Sequence, residues 1–212
     1  MKSNIIIFTD LEGTILRDID GEYDEKEMFQ LLQQINRLEK LEGATAQIHI
    51  LSPMTVDQMK YILGEFDETF NKYNKTSGNY VSYVKSAIAF QDNYTDWRNI
   101  SNRILLVKHR NINQYGEEKL SYVESYMKSH EGDDIKKIIY MGNGANDVMA
   151  MQKIKSNNGI VICPYNSTDE VKKIANYKSN EEDLRGLVDG FSKLCQEVEK
   201  QKVHVSHDDN ER

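Results

Sequence analysis

Four places in this 212-residue chain hold side chains that could act together on a charged substrate. Asp10 comes just after the apolar run Ile5-Ile6-Ile7-Phe8, Ser52 follows the strand-like run Ala46 to Leu51, and Gly142-Asn143-Gly144-Ala145-Asn146-Asp147 follows Lys137 to Met141. Lys119 stands at the start of the helical stripe Leu120, Val123, Met127. In open α/β sheets ligands bind beyond the carboxyl ends of the strands, so these positions are expected around one crevice. A carboxylate, a hydroxyl, an ammonium and a glycine-containing polar turn suit phosphoryl transfer, where catalysis is mostly positioning and neutralisation of phosphate charge.

An alternation of strands and helices must position these groups. Met28, Leu31, Leu32, Ile35, Leu38 and Leu41 recur at helical spacing, and Gly43 closes that helix. After the strand Ala46 to Leu51, the residues Val56, Met59, Ile62, Leu63 and Phe66 form the next amphipathic stripe. Ile104 to Val107, Lys137 to Met141 and Gly159 to Cys163 read as further strands. Further helices are expected from near Glu117, over Val148 to Ile154, and from Leu184 to Val198. This βαβα order implies an α/β fold with a central parallel sheet and helices on its faces. Residues 1–198 read as one core. The stretch from Asn71 to Asn102 lacks a clear period; within it Ser82 to Phe90 reads either as a strand or as part of a small insertion at about 71–102, while 199–212 is polar and aperiodic, as a disordered tail would be.

Composition narrows the function classes. Hydrophobic residues make up 39% and charged residues 29%, which allows a core, and 2 Pro with 12 Gly argue against a many-turned all-β chain. No apolar run approaches the roughly 20 residues that cross a bilayer, so a cytoplasmic location and no membrane partner are expected. Cys163 and Cys195 lie among apolar neighbours without metal-ligand spacing and read as buried thiols. Lys+Arg 27 against Asp+Glu 34 gives a net charge of -7, which disfavours nucleic acid as a polymeric partner.

Each candidate has a plainer local reading. Asp10 and Thr14 could be turn or cap residues, Ser52 before Pro53 a helix-start residue, and Asn146 and Asp147 caps of the following helix. Lys108, directly after a strand, competes with Lys119. Gly142-Asn143-Gly144 lacks the third glycine of a dinucleotide loop, and Asp18-Ile19-Asp20-Gly21 has its glycine at the wrong offset for a calcium loop. His204 and His207 sit in the expected tail.

Taken in order, the four places resemble the motifs of the haloacid dehalogenase superfamily. Phe8-Thr9-Asp10-Leu11-Glu12-Gly13-Thr14 is similar to its first motif, an apolar strand followed by Asp-x-Asp-Gly-Thr. Ile50-Leu51-Ser52 resembles the second, Lys119 the third, and Gly142-Asn143-Gly144-Ala145-Asn146-Asp147 a variant of the fourth, Gly-Asp-Gly-x-Asn-Asp. The resemblance implies a Rossmann-like three-layer sandwich and a Mg²⁺-dependent phosphatase in which Asp10 forms an aspartyl-phosphate. It further implies that Asp10, the backbone carbonyl of Glu12, the Asn143 side-chain oxygen and Asp147 hold the metal, directly or through water. Ser52 would bind a phosphoryl oxygen, Lys119 would offset phosphate charge, and Gly13 and Gly144 would let the backbone turn near the phosphate.

Two positions depart from the family pattern. Glu12 stands where an aspartate usually acts as general acid and is one methylene longer; Asn143 replaces a metal-binding aspartate and removes one negative charge. These departures also fit a catalytically weakened phosphate-binding or regulatory module. Family caps usually follow the first or second motif. One helix fills the interval from Asp10 to Ser52, and the interval from Ser52 to Lys119 holds only a small cap. The expected crevice is therefore open, suited to a phosphorylated small molecule or an exposed phosphorylated group of a larger substrate, or closed by a second subunit in a homo-oligomer. Specificity would come from Asn71 to Asn102 and from loops near Arg17 and Arg110.

Overall fold

The apolar run after Asn4 forms strand β1 (Asn4–Thr9), and from Ile5 onward every residue of it is buried. Such a continuous run belongs to a strand covered on both faces. The computed structural model describes residues 3–78, 84–89, 104–106 and 112–208. Its other strands are β2 (Thr45–Ser52), β3 (Val84–Ala89), β4 (Ile104–Leu106), β5 (Ile135–Met141), β6 (Ile160–Cys163) and β7 (Tyr177–Lys178). They form one 7-stranded sheet in the order β4-β3-β2-β1-β5-β6-β7. Every strand pair in it is parallel.

Helices cover both faces, giving the three layers expected. Ile5 and Ile7 pack with α1 (Glu25–Glu42), α2 (Val56–Ser77) and α6 (Asp183–Asp208). Ile6 and Phe8 point the other way, toward α3 (Ile112–Ser129), α4 (Val148–Ser156) and α5 (Asp169–Ile174). Local chemistry sets the helix ends. The Asp24 side chain accepts from Glu27 N at 2.9 Å to start α1, and Gly43 ends it in the left-handed region at φ 64°. Thr55 and Gln58 form a reciprocal capping box on α2. A cap of this kind stabilises a helix by about 1 kcal/mol.

The sheet order places the crevice. The chain builds outward from β1 through β2, β3 and β4, then crosses back to lay β5 on the other side of β1. That reversal opens a gap beyond the carboxyl ends of β1 and β5, the switch point where ligands bind in open α/β sheets. Asp10 and the Gly142 to Asp147 turn are the residues that follow those two strands.

Several sequence expectations are adjusted. Residues 71–77 belong to α2, and of the two readings of Ser82 to Phe90 the strand holds: Val84–Ala89 is a strand of the main sheet between β2 and β4. The rest of the expected insertion, with Trp97, and Arg110 lie outside the described residues. α3 begins at Ile112 rather than near Glu117, because its polar first turns and Gly116 carry no apolar stripe. α5 and β7 are too short for periodicity to reveal. The tail expected from 199 is corrected at its start, since α6 continues to Asp208. Polar contacts with α1, invisible to an apolar pattern, hold this extension. Arg37 donates to both Glu199 oxygens at 3.0 and 2.7 Å, and Lys202 donates to the Leu41 carbonyl. Among the described residues, no helix is long and apolar enough to cross a membrane.

Candidate active site

β1 delivers Asp10 to the crevice, and the Asp10 backbone N–H donates to the Met141 carbonyl at 2.9 Å, tying the loop to the end of β5. From α3, Lys119 reaches the same point. Its Nζ lies 2.7 Å from Asp10 Oδ1 and 2.7 Å from Asp147 Oδ1. Lys119 and Asp147 are fully buried and Asp10 is 3% exposed. A lysine carries three donors; two of these are spent here on the pair of carboxylates.

Asp147 is held from every side. Its Oδ1 also accepts from the Tyr140 hydroxyl at 2.9 Å, while Oδ2 accepts from the backbone N–H groups of Asn143 at 3.2 Å and Gly144 at 3.0 Å. A carboxylate offers about four acceptor positions, so that of Asp147 is saturated. The turn must be glycine-lined for this to happen. A Cβ on Gly142 would stand 2.6 Å from Asp147 Cγ.

The electrostatics follow from burial. Burial, then the Asp147 charge, pushes the Asp10 carboxyl well above the usual carboxylate range; Lys119 opposes this and Glu12 adds to it. Burial alone would lower the Lys119 pKa, but the Asp10 and Asp147 carboxylates outweigh it and hold the ammonium charged, above its ordinary value. Burial, then Asp147 and Asp10, raises the Tyr140 phenol, which stays a donor.

Across β1, Ser52 at the end of β2 is fully buried. Its Oγ donates to Glu12 Oε2 at 2.7 Å and accepts from Met54 N at 3.1 Å. Between them, Gly13 adopts φ +69°, and a Cβ there would fall 2.1 Å from Asn143 Nδ2 and 2.6 Å from Asp18 Oδ1. Glycine is required on both counts. Thr14 Oγ1 donates to Asn143 Oδ1 at 3.1 Å, and Asn166 Nδ2 donates to the Gly13 carbonyl at 2.9 Å and to Asp183 Oδ1 at 2.7 Å. A cleft of about 420 Å³ opens beside this loop, with Ile15, Arg17, Tyr165, Asp183 and Arg185 in its lining.

The candidates named from the sequence thus meet in two groups. Asp10, Lys119 and Asp147 touch directly, with Asn143 and Gly144 joined to them through Asp147. Glu12 and Ser52 form the second pair, and Gly13 lies against Asn143. Lys108 lies outside the described residues. Three contributors went unread, while Thr14, named with the first motif, also reads as a cap. Tyr140 hides in an apolar strand. Asn166 follows β6 and could have been found by searching past that strand end. Asp18 lies in a loop whose other features, an exposed Arg17–Asp20 pair at 2.8 Å and Ile19 at 89% exposure, do match a solvated turn.

No protein-family model matches the chain, nor does any curated protein. Solved structures do. The cobalt-bound deoxy-D-mannose-octulosonate 8-phosphate phosphatase from Haemophilus influenzae is 14% identical, with 91% of this chain and 85% of that chain covered at a TM-score of 0.45. A Moraxella catarrhalis 3-deoxy-D-manno-octulosonate 8-phosphate phosphatase, in complex with magnesium, phosphate and the sugar acid, is 14% identical over 92% and 85% at 0.46. A Legionella pneumophila chain described as a subfamily III A hydrolase of the superfamily is 13% identical over 92% and 84% at 0.45. The solved structures similar to this chain therefore include hydrolases of the haloacid dehalogenase superfamily, the family that its motifs resemble.

Proposed function

We propose that the chain is a Mg²⁺-dependent phosphomonoester hydrolase that passes the phosphoryl group through Asp10. One observation carries this reading. A fully buried Lys119 ammonium bridges Asp10 and Asp147 at 2.7 Å each, at the switch point of a parallel sheet. Two buried carboxylates around one lysine are costly to maintain for stability alone, and they supply a nucleophile beside a fixed positive charge.

Asp10 would attack phosphorus through a carboxylate oxygen, forming an acyl phosphate as the ester P–O bond breaks. Glu12 in its acid form would give the leaving oxygen a proton. Its carboxylate would then take a proton from the water that attacks the acyl phosphate, releasing inorganic phosphate and restoring Asp10. Lys119 would offset the charge gathered on nucleophile and phosphate, and Ser52 would donate to a phosphoryl oxygen.

The donor set fits a hard cation in a limited way. Asp10, the Glu12 carbonyl and Asn143 Oδ1 are oxygen donors of the kind Mg²⁺ takes. Asp147, already saturated, would contribute by fixing Lys119 and the Asn143 turn. Among the described residues, no group of three or more His, Cys, Asp or Glu side chains is arranged to hold a metal, so the substrate phosphate would be a principal ligand. When bound, the cation supplies charge neutralisation at the phosphoryl oxygens.

The substrate would be a phosphorylated small molecule or an exposed phosphorylated group, with its leaving group toward the cleft that Arg17 lines. With a net charge of -7, attraction for it must be local. A second copy of the chain could close the open side of the crevice. A second reading, a phosphate-binding module with little turnover, is favoured by the commitment of the Ser52 hydroxyl to Glu12. A phosphatase panel with Mg²⁺ separates the two. Hydrolysis by the wild type that falls at least about 100-fold in Asp10→Asn supports the enzyme; equal inertness of both, with beryllofluoride still bound, supports the module.

A further inference from the structure

Resting on that reading of the crevice, we infer that Glu12 is a resident occupant of the phosphoryl subsite, its carboxylate accepting the Ser52 O–H hydrogen bond that a phosphoryl oxygen needs. Serine has one O–H to donate. In this structure that O–H donates to Glu12 Oε2 at 2.7 Å, and the Met54 N–H donates to Ser52 Oγ at 3.1 Å, which fixes where the hydroxyl sits. Ser52 is fully buried, and its one O–H is already committed to Glu12. Any anion seated there must first displace Glu12.

The length of the side chain decides this contact. An aspartate at the same position would fall short by about one C–C bond, ~1.5 Å, too far for a hydrogen bond at its present geometry. Glutamate reaches the hydroxyl, and its partial exposure leaves it room to swing out. Its negative charge, which already adds to the field on Asp10, also repels a phosphate while it stays.

The same carboxyl therefore has two positions with two roles. Seated on Ser52, it keeps the subsite filled. Displaced by an incoming phosphoryl group and protonated from solvent, it is free to turn toward the leaving oxygen as the acid. After hydrolysis, its return to Ser52 competes with product phosphate and favours release.

Titration calorimetry of the full chain with inorganic phosphate, in the presence of MgCl₂, tests this. Glu12→Asp keeps the charge and loses the reach, so it should bind phosphate about tenfold tighter than the wild type, a 1.4 kcal/mol difference. Glu12→Ala should gain at least as much. Glu12→Gln, which keeps the length and an acceptor oxygen, should gain clearly less than Glu12→Ala. The Glu12→Asp gain should vanish when combined with Ser52→Ala. Equal phosphate affinity in wild type and Glu12→Asp, with both binding, overturns the occupancy and leaves the phosphate site standing. Equal gains in Glu12→Gln and Glu12→Ala assign the effect to charge alone and also overturn it. Phosphate binding to none of the variants removes the phosphate site itself, and the inference with it. Thermal melts of each variant confirm that the compared chains are folded.

Discussion

The two flanks of β1 hold their polar residues in different ways. On the β5 side, the Asp147 carboxylate takes four hydrogen bonds, two of them from backbone N–H groups, and its partners Lys119 and Tyr140 are fully buried. On the β2 side, one bond between two side chains joins Ser52 to a partly exposed Glu12. The first arrangement cannot be undone without leaving buried charge unpaired. The second can open by one side-chain rotation. The buried cation and carboxylates are thus part of the fold, and the hydroxyl–carboxylate pair is the exchangeable part. Changes on the β5 flank should register mainly as stability, changes on the β2 flank mainly as binding.

The hardest way to break this contrast is Lys119→Met. It strips the cation from two buried carboxylates, and breaking a buried ion pair typically costs about 3–5 kcal/mol. Urea denaturation at neutral pH should show a loss of that order, with part of it recovered by adding Asp10→Asn to the same chain, since Asp147 still lacks the cation. A loss below about 1 kcal/mol, the scale of a surface pair, would mean that this flank is as replaceable as the other.

A milder test removes one of the four bonds to Asp147. Tyr140→Phe deletes the hydroxyl that donates at 2.9 Å and leaves Lys119 and both backbone donors in place. The same denaturation experiment should register about 1.5–3 kcal/mol, the usual value for a hydrogen bond to a charged group. If it costs as much as Lys119→Met, the phenol rather than the ammonium is the main anchor of Asp147.

The contrast also explains what could be read from residues alone. β1, β2 and β5 end in buried residues followed by polar ones, so Asp10, Ser52 and the Gly142 to Asp147 turn are visible as strand ends, and the parallel sheet follows from their alternation with amphipathic helices. Lys119 is legible only as a member of the set, since nothing in its own stripe separates it from a solvated lysine. Tyr140 cannot be read as polar, because its ring satisfies the apolar pattern while its hydroxyl does the bonding. The Ser52–Glu12 contact is set by side-chain reach across a turn, which no spacing rule encodes. Likewise Arg37 and Glu199, far apart in sequence, hold the end of α6 through a contact that helical periodicity does not register.

The smallest expected effect comes from the neighbour of Lys119. Burial, then the adjacent Glu117 charge, pushes the Glu118 carboxyl up to about 7. An acid raised on folding contributes stability that is fully present below its unfolded value, 4.5 here, and is lost as pH rises through about 7. Glu118→Gln removes that titration. Wild type and variant should melt together at pH 4, and the variant should melt higher at pH 8. Because the side chain is only partly buried, solvent screening keeps the gain to about 2 °C or less. The largest influences on Asp10 and Lys119 are burial, their own pairing and Asp147, so inorganic phosphate should bind the variant as it binds the wild type. A shift in phosphate affinity would instead show that the buried group reaches into α3 beyond Lys119, and the two-flank division would have to include a neighbour that now stands outside it.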